Sequence, residues 1–456
     1  MNYIGLDLGT HGIKFFVLDD LKVVEFQNVP IKNEVISKEG FEEQNPVLWR
    51  KTFLDLLDYF KRKYPRFVMS ISSTSGSILP VDKNGTPLYN AIMYNDARSY
   101  KEAGLLNKIG QETIKKLGYK FNSSFSLPKI LWIKNNLKEV YKQTKYFLHP
   151  ADYLVFLASG ILGVSDHSNS LKTGFDILDY KWPSYIEKAG IEINKLLKVY
   201  PPGFRLNQNI ALGMTDGCAS QIATGAFEIG SSAISIGTTL VIKGVSRSLI
   251  PDKEGRFYYH LNFDKKTFLP GGASNSGGGF FEKNFSQGEI NNFSKNIEYK
   301  EPLSSLVYPL VKKGERFPFI KPDFVGMDNI NLIHSKKELF KAGIEGLAYI
   351  SRYAFEMMKN FAIDFSGDTF VNGFMFKYKN IVRIFSNILK KRVLNTKYSD
   401  ASFGSAIIAI MNDFKLNDIK KIIEIENECE PDNARLLLYE EKYMEFKRML
   451  NKIIKG

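Results

Sequence analysis

The feature that most limits how this chain can fold is a short pattern that occurs twice. Near the start, Ile4-Gly5-Leu6-Asp7-Leu8-Gly9-Thr10 leads to Lys14 and a second apolar alternation through Ile13, Phe15 and Val17. Past the midpoint, Ser235-Ile236-Gly237-Thr238-Thr239 makes the same passage from strand to turn to strand. A Gly-Thr tip between two strands lets backbone N–H groups approach an anion with no Cβ in the way, and the hydroxyl adds a donor. About twenty residues before the second tip lies Gly213-Met214-Thr215-Asp216-Gly217-Cys218-Ala219, which sets one carboxylate at the end of the apolar run Ile210-Ala211-Leu212. Either turn alone passes for an ordinary hairpin, where glycine and aspartate are common. Two such turns in equivalent settings, with two acids, point instead to phosphoryl transfer.

The acids divide naturally between two tasks. Asp7, in the first turn, cannot bind phosphate itself and is expected to hold Mg²⁺ through water, since that ion keeps several waters and is shared between carboxylates and phosphates. Asp216 is the better candidate for the base that takes a proton from an attacking hydroxyl.

At 456 residues the chain exceeds what one hydrophobic core usually supports. Because both halves open with strand, Gly-Thr turn and strand, the expected architecture is a duplicated α/β unit, residues 1–226 and 227–456, with a nucleotide cleft between the copies. The Gly-rich stretch 271–279 lacks a Gly-Lys-Ser/Thr ending, which excludes a P-loop. Strands are expected at 3–9, 13–18, 22–29, 67–72, 233–236 and 239–245. Helices are expected at 46–63 (Trp49, Phe53, Leu56, Leu57, Phe60), 99–117, 126–139, 151–159, 277–285, 289–297, 335–359, 377–390 and 433–454.

A net charge of +13 raises nucleic acid as a partner. The basic residues, however, come as scattered groups such as Lys115-Lys116, Lys312-Lys313 and Lys390-Lys391-Arg392, interleaved with acids. A solvated lysine-rich surface explains them, and it would also attract an anionic nucleotide. The two cysteines, Cys218 and Cys429, have no CxxC spacing and the five histidines no HExxH spacing, so neither a zinc site nor a disulfide framework is expected. Cys218 reads as a small packing residue rather than a nucleophile. The N-terminus opens on a strand with no signal-peptide pattern, and the longest apolar stretch, 153–164, is too short to span a bilayer. A cytoplasmic location without membrane contact is expected.

These residues resemble the FGGY carbohydrate kinases over nearly the whole chain. The resemblance is carried by Asp7-Leu8-Gly9-Thr10 with Lys14, Gly40-Phe41-Glu42-Glu43-Gln44-Asn45-Pro46 with Trp49, Ser73-Thr74-Ser75-Gly76, and Ala91 to Arg98. It continues through Ser165-Asp166-His167-Ser168-Asn169, Gly213 to Gly217, Gly237-Thr238-Thr239, Gly314-Glu315-Arg316-Phe317-Pro318 and Ala342-Gly343-Ile344-Glu345-Gly346. No single piece is decisive, but their order and spacing together are specific. The resemblance implies duplicated ribonuclease H-like (actin-like ATPase) domains with an interdomain cleft, and transfer from ATP with Mg²⁺ to a small-molecule sugar. It implies Asp216 as catalytic base and Asp7 at the metal. Gly9, Thr10, Lys14, Gly237, Thr238 and Thr239 would hold the ATP phosphates, and Gly278 and Gly373 would approach the nucleotide. Thr74, Ser75, Asn95 and Asp96 would face the sugar. A second use of Asn95-Asp96-Ala97-Arg98 is a helix N-cap followed by a solvated arginine. A homodimer is left open.

Three departures from the family pattern stand out: Asn372-Gly373-Phe374-Met375-Phe376-Lys377 replaces a triple-glycine adenine motif, His11 replaces a small hydroxyl residue, and the segment 182–213 is short. The altered adenine motif makes a non-catalytic, ligand-binding member the main alternative, and a nucleic-acid-binding protein rests on charge alone. The small hydroxyls of Ser73-Thr74-Ser75-Gly76 followed by Tyr94-Asn95-Asp96 resemble the pentulose-kinase branch, which implies D-ribulose ahead of D-xylulose, phosphorylated at a terminal hydroxyl.

Overall fold

A computed structural model describes residues 1–32, 36–38, 40–328 and 333–455. They group into two compact units. The first comprises Met1–Ala223, His260–Lys266 and Ser399–Ile422, and the second Thr224–Tyr259, Thr267–Tyr398 and Ile423–Gly456. The units change over close to residue 226, yet two later segments that a simple division into halves assigns to the second domain belong to the first unit.

The first unit is built on β1 (Asn2–Gly9), β2 (Gly12–Asp19), β3 (Lys22–Pro30), β4 (Phe67–Ser73) and β5 (Ile210–Thr215), in the order β5-β4-β1-β2-β3. β1, β2 and β3 form an antiparallel meander, and β4 and β5 add parallel to β1. The second unit has a seven-stranded sheet. Its central five strands are β6 (Ser232–Ile236), β7 (Leu240–Gly244), β8 (Phe268–Ser274), β9 (Thr369–Asn372) and β10 (Val393–Thr396), in the order β8-β7-β6-β9-β10. Three antiparallel strands followed by two parallel additions recur there. The duplicated ribonuclease H-like plan expected from the sequence is thus present.

A parallel addition needs a crossover, and in the first unit α1 (Pro46–Lys63) helps supply it. Asn45 caps the helix by accepting from the Val47 amide, Pro46 fits the first turn, and Trp49, Phe53, Leu56, Leu57 and Phe60 form its buried stripe. Further on come α2 (Ser126–Asn136) and α3 (Asp216–Ala223), with α4 (Lys336–Lys359), α5 (Lys379–Leu389) and α6 (Ala401–Ile410) later in the chain. In the second unit α5 is the crossover from β9 to β10 and packs on α4.

All ten residues of α6 are buried, and the helix packs on β1 and α3 of the first unit. The approach is close enough to require glycine on both sides. A Cβ on Gly5 would lie 1.9 Å from the Ser402 carbonyl oxygen, and one on Gly404 would lie 1.8 Å from that of Ala219. The expected helix at 99–117 is two helices, Tyr100–Ile109 and Gln111–Leu117, divided at Gly110, which is packed against the Tyr185 ring. Among the described residues no helix is long and apolar enough to cross a membrane.

Candidate active site

The strand register of the first unit assembles the acids. β1 and β4 run parallel with Asp7 beside Ser72, and the Ser72 hydroxyl donates to Asp7 Oδ1 at 2.8 Å. β2 returns antiparallel with Lys14 opposite Asp7. Lys14 Nζ reaches Asp400 Oδ1, just before α6, at 2.6 Å. Asp216 opens α3 directly after β5, and its Oδ1 accepts the Gly217 amide at 2.7 Å.

Burial pushes the Asp7 carboxyl up to about 7, and the negative charge of Asp216 adds to the push. The Ser72 hydrogen bond and Lys14 oppose it, and Asp400 reinforces it. The register agrees, because Leu8 and Thr215 both pair with Ser73 and so set Asp7 and Asp216 at the same end of the sheet. Crowded carboxylate oxygens are the donor chemistry of a hard divalent cation. Among the described residues no group of three or more His, Cys, Asp or Glu side chains gathers around one point. A cation held here would take most of its ligands from water and phosphate, as Mg²⁺ does.

The raised Asp7 value sets a pH dependence with a definite sign. Between the ordinary carboxylate value of 3.8 and about 7, the folded protein holds a proton that the unfolded chain has released, so stability falls as pH rises through that window. Metal-free Asp7→Asn should therefore melt above the wild type at pH 8 and level with it at pH 4. Equal differences in Tm at the two pH values would show that Asp7 does not carry this charge strain.

The two Gly-Thr turns both sit at hairpin tips. Thr10 and His11 join β1 to β2 with His11 exposed, and Gly237 and Thr238 form an exposed tip between β6 and β7. The Gly-rich segment lies on the second tip, where the Gly278 amide donates to the Gly237 carbonyl at 2.7 Å and the Gly279 amide to that of Thr238 at 3.2 Å. A Cβ on Gly278 would stand 2.5 Å from the Gly237 oxygen, whereas one on Gly237 meets nothing within 4 Å. A side chain at 237 would thus enter only open space, which is where the expected phosphate would lie. Gly237→Val should raise the KM for ATP about tenfold or more, equivalent to about 1.4 kcal/mol of binding, with sugar KM and Tm unchanged. Steady-state kinetics and thermal melts read the two sides, and equal damage to both substrates would count against a phosphate cradle.

Gly373 has φ +131°, and a Cβ there would lie 2.4 Å from the Ile236 carbonyl. The two aromatic residues that follow differ in role. Phe376 is fully buried and packs edge-on against Phe385 at 4.9 Å. Phe374 is exposed, with its ring 3.7 Å from where a Gly278 Cβ would stand. Of the two, only Phe374 is open to a ligand.

The loop after β4 carries the residues expected to face the sugar. Thr74 Oγ1 lies 3.2 Å from Ser77 Oγ, which accepts the Tyr94 amide at 3.1 Å. Ser75 Oγ has no hydrogen-bond partner among the described residues. Asn95 is exposed, but Asp96 is fully buried. Its carboxylate accepts the Glu42 amide at 2.6 Å and both Nε and Nη2 of Arg98, at 2.9 and 2.7 Å. Asp96 therefore ties its own turn to Glu42 and Arg98. Arg98 is not solvated: its side chain is 1% exposed, pairs with Glu43 at 2.8 Å and lies between Phe41 and Trp132. The N-cap of the following helix is Ser99.

Ser72 and Asp400 were not singled out from the sequence. Strand register is the signal that finds Ser72, because β4 itself reads only as a buried apolar strand. Asp400 stands 386 residues from its partner Lys14, and no local pattern joins them.

Paired ribonuclease H-like units, the first with acids at the ends of its strands, give the molecule the two-domain actin-like fold. Residues 2–209 match the N-terminal domain of the FGGY family of carbohydrate kinases, and the chain belongs to that family. A xylulose kinase of Staphylococcus xylosus is 25% identical over 457 residues, covering 92% of this chain and 93% of that protein. A gluconokinase of Bacillus subtilis is 26% identical, covering 76% of this chain and 74% of that protein. Among solved structures, a xyloylose kinase from Brucella ovis has the same fold, with a TM-score of 0.87 over 100% of both chains at 20% identity. The protein is a carbohydrate kinase, a phosphotransferase with an alcohol group as acceptor.

Proposed function

We propose that this enzyme moves the γ-phosphoryl group of ATP to the terminal hydroxyl of a pentulose, D-xylulose or D-ribulose. The observation that carries the reading is the strand register: Leu8, next to Asp7, and Thr215, next to Asp216, both pair with Ser73, which sets the two acids at the same end of one sheet. In that reading Asp216 accepts the proton of the attacking hydroxyl. Asp7 would be the residue that holds Mg²⁺, and the ion, when bound, would supply neutralisation of phosphate charge. Lys14 stands opposite Asp7 and is available to the phosphates once it leaves Asp400. In the first unit Gly9 and Thr10 would offer donors to phosphate oxygens, and in the second unit the 237–239 tip would do the same, with Gly278 and Gly373 leaving room for the nucleotide.

On the acceptor side, Thr74, Ser75 and Asn95 offer small hydroxyls and an amide, which suit a compact polyhydroxylated chain whose every hydroxyl needs a donor and an acceptor once desolvated. The likeness to xylulose kinases supports D-xylulose ahead of D-ribulose, reversing the order inferred from the loop residues alone. A panel of pentuloses, aldohexoses, glycerol and gluconate, each coupled to ADP release with Mg²⁺ present, tests the reading. Activity confined to gluconate or glycerol removes the pentulose assignment. Absence of single-turnover phosphoryl transfer to every acceptor would instead support a non-catalytic ligand-binding member.

A further inference from the structure

Lys129, on the first turns of α2, is fully buried. Its Nζ donates to three backbone carbonyls: Gly76 at 3.1 Å, Ser123 at 2.6 Å and Phe125 at 3.2 Å. The first belongs to the loop after β4, immediately past Thr74 and Ser75. The other two belong to the loop that leads into α2. Gly76 has φ +87°, and a Cβ there would lie 2.1 Å from the Ser124 carbonyl oxygen. The two loops therefore meet backbone to backbone, and the ammonium joins them at that point.

We propose that Lys129 is a positioning residue for the acceptor sugar: by clamping the Gly76 carbonyl to the 123–125 loop it fixes the Thr74 and Ser75 hydroxyls in the geometry that binds substrate. The inference rests on the reading above that these hydroxyls face the sugar. The state of Ser75 supports it. Its hydroxyl is covered yet has no protein partner, which is how a donor held ready for a ligand looks once its backbone is immobilised from behind. A buried unpaired hydroxyl is otherwise costly.

The charged groups around the ammonium are Asp96, Arg98 and Lys172. Asp96 is already bonded to Arg98, which in turn pairs with Glu43, and Lys172 Nζ lies over the Phe125 ring at 4.1 Å. Burial pulls the Lys129 ammonium down to about 7; the attraction of Asp96 opposes this, and the Lys172 and Arg98 charges add to it. An ammonium can serve three carbonyls with its three N–H groups, and a neutral amine only two. The clamp therefore loosens as pH rises through neutrality.

Sugar KM should rise severalfold between pH 6 and pH 8.5 in the wild-type enzyme. Asp7 titrates in the same range, but it acts on the phosphoryl side and is read in kcat. Lys129→Met should raise sugar KM about tenfold or more through the lost hydrogen bonds, leave ATP KM and kcat nearly unchanged, and flatten the pH dependence of sugar KM. Lys129→Gln, which keeps neutral donors, should fall between the two and also be flat. If Lys129→Met does not fold, the wild-type and Lys129→Gln profiles decide alone. A wild-type-like sugar KM in either variant, or a parallel loss toward ATP and sugar, overturns the clamp. Ser75→Ala separates the underlying reading. An unchanged sugar KM in Ser75→Ala and Thr74→Ala means that the loop does not face the sugar. A raised KM there beside an unaffected Lys129→Met removes the clamp alone.

Discussion

Asp216→Asn is expected to lower sugar-dependent ADP formation by about 10²–10⁴-fold, the range that general acid–base help contributes, with fold and ATP binding retained. Asparagine keeps the shape and the oxygen that accepts the Gly217 amide, so the opening turn of α3 has no reason to move. What it loses is the ability to take a proton. A second consequence follows from the charge. Because Asp216 is one of the causes that raise Asp7, the neutral variant should let the Asp7 carboxyl titrate lower. Following Asp7 by carboxyl NMR across pH 5–8 separates this from a general disturbance of the site. Near-normal turnover in the variant would place the base elsewhere, and an unmoved Asp7 would show that the two acids do not interact.

How far the sequence reaches depends on which force shapes each element. The antiparallel meander and α1 were legible because their signals are local. Alternation of apolar residues marks β1 and β2, and Asn45-Pro46 followed by an aromatic stripe sets α1 at Pro46–Lys63, the bounds expected from the sequence. The two Gly-Thr tips were legible for the same reason, since a tight turn between strands is written in small residues.

The rest of the site depends on distant partners. α6, with the sequence ASFGSAIIAI, has all ten residues buried and so no polar face from which a helical period can be read. Its place against β1 could not be anticipated, and with it went the Asp400 pairing to Lys14. The family resemblance set Asp96 beside Asn95 as a sugar-facing residue, yet the chain turns it inward to Arg98. Lys129 lies in a segment whose period was legible, but a lysine on a helix normally reads as solvent-facing. That its ammonium meets three carbonyls is a property of two loops packing together, which spacing along the chain does not encode.

The close approach of α6 gives the largest structural effect expected of a single substitution. Gly404→Val must place its Cβ where the Ala219 carbonyl oxygen stands, at 1.8 Å, so α6 and α3 have to separate. Both helices are backbone at this contact, and no flexible side chain can yield. A cost of roughly 3 kcal/mol, the upper end of ordinary overpacking, corresponds to a fall in Tm of roughly 6–12 °C in a unit of this size. Activity should fall further than the loss of folded protein explains, because α3 begins with Asp216 and α6 follows Asp400, the partner of Lys14. Gly104→Ala is the matching control. Gly104 is exposed within the helix Tyr100–Ile109, and a Cβ there meets nothing within 4 Å, so alanine should be neutral or stabilising by up to about 1 kcal/mol. If Gly404→Val melted with the wild type, the glycine-mediated seating of α6 would be wrong. If it melted low but the fraction still folded turned over normally, α6 would support the fold without positioning the catalytic groups.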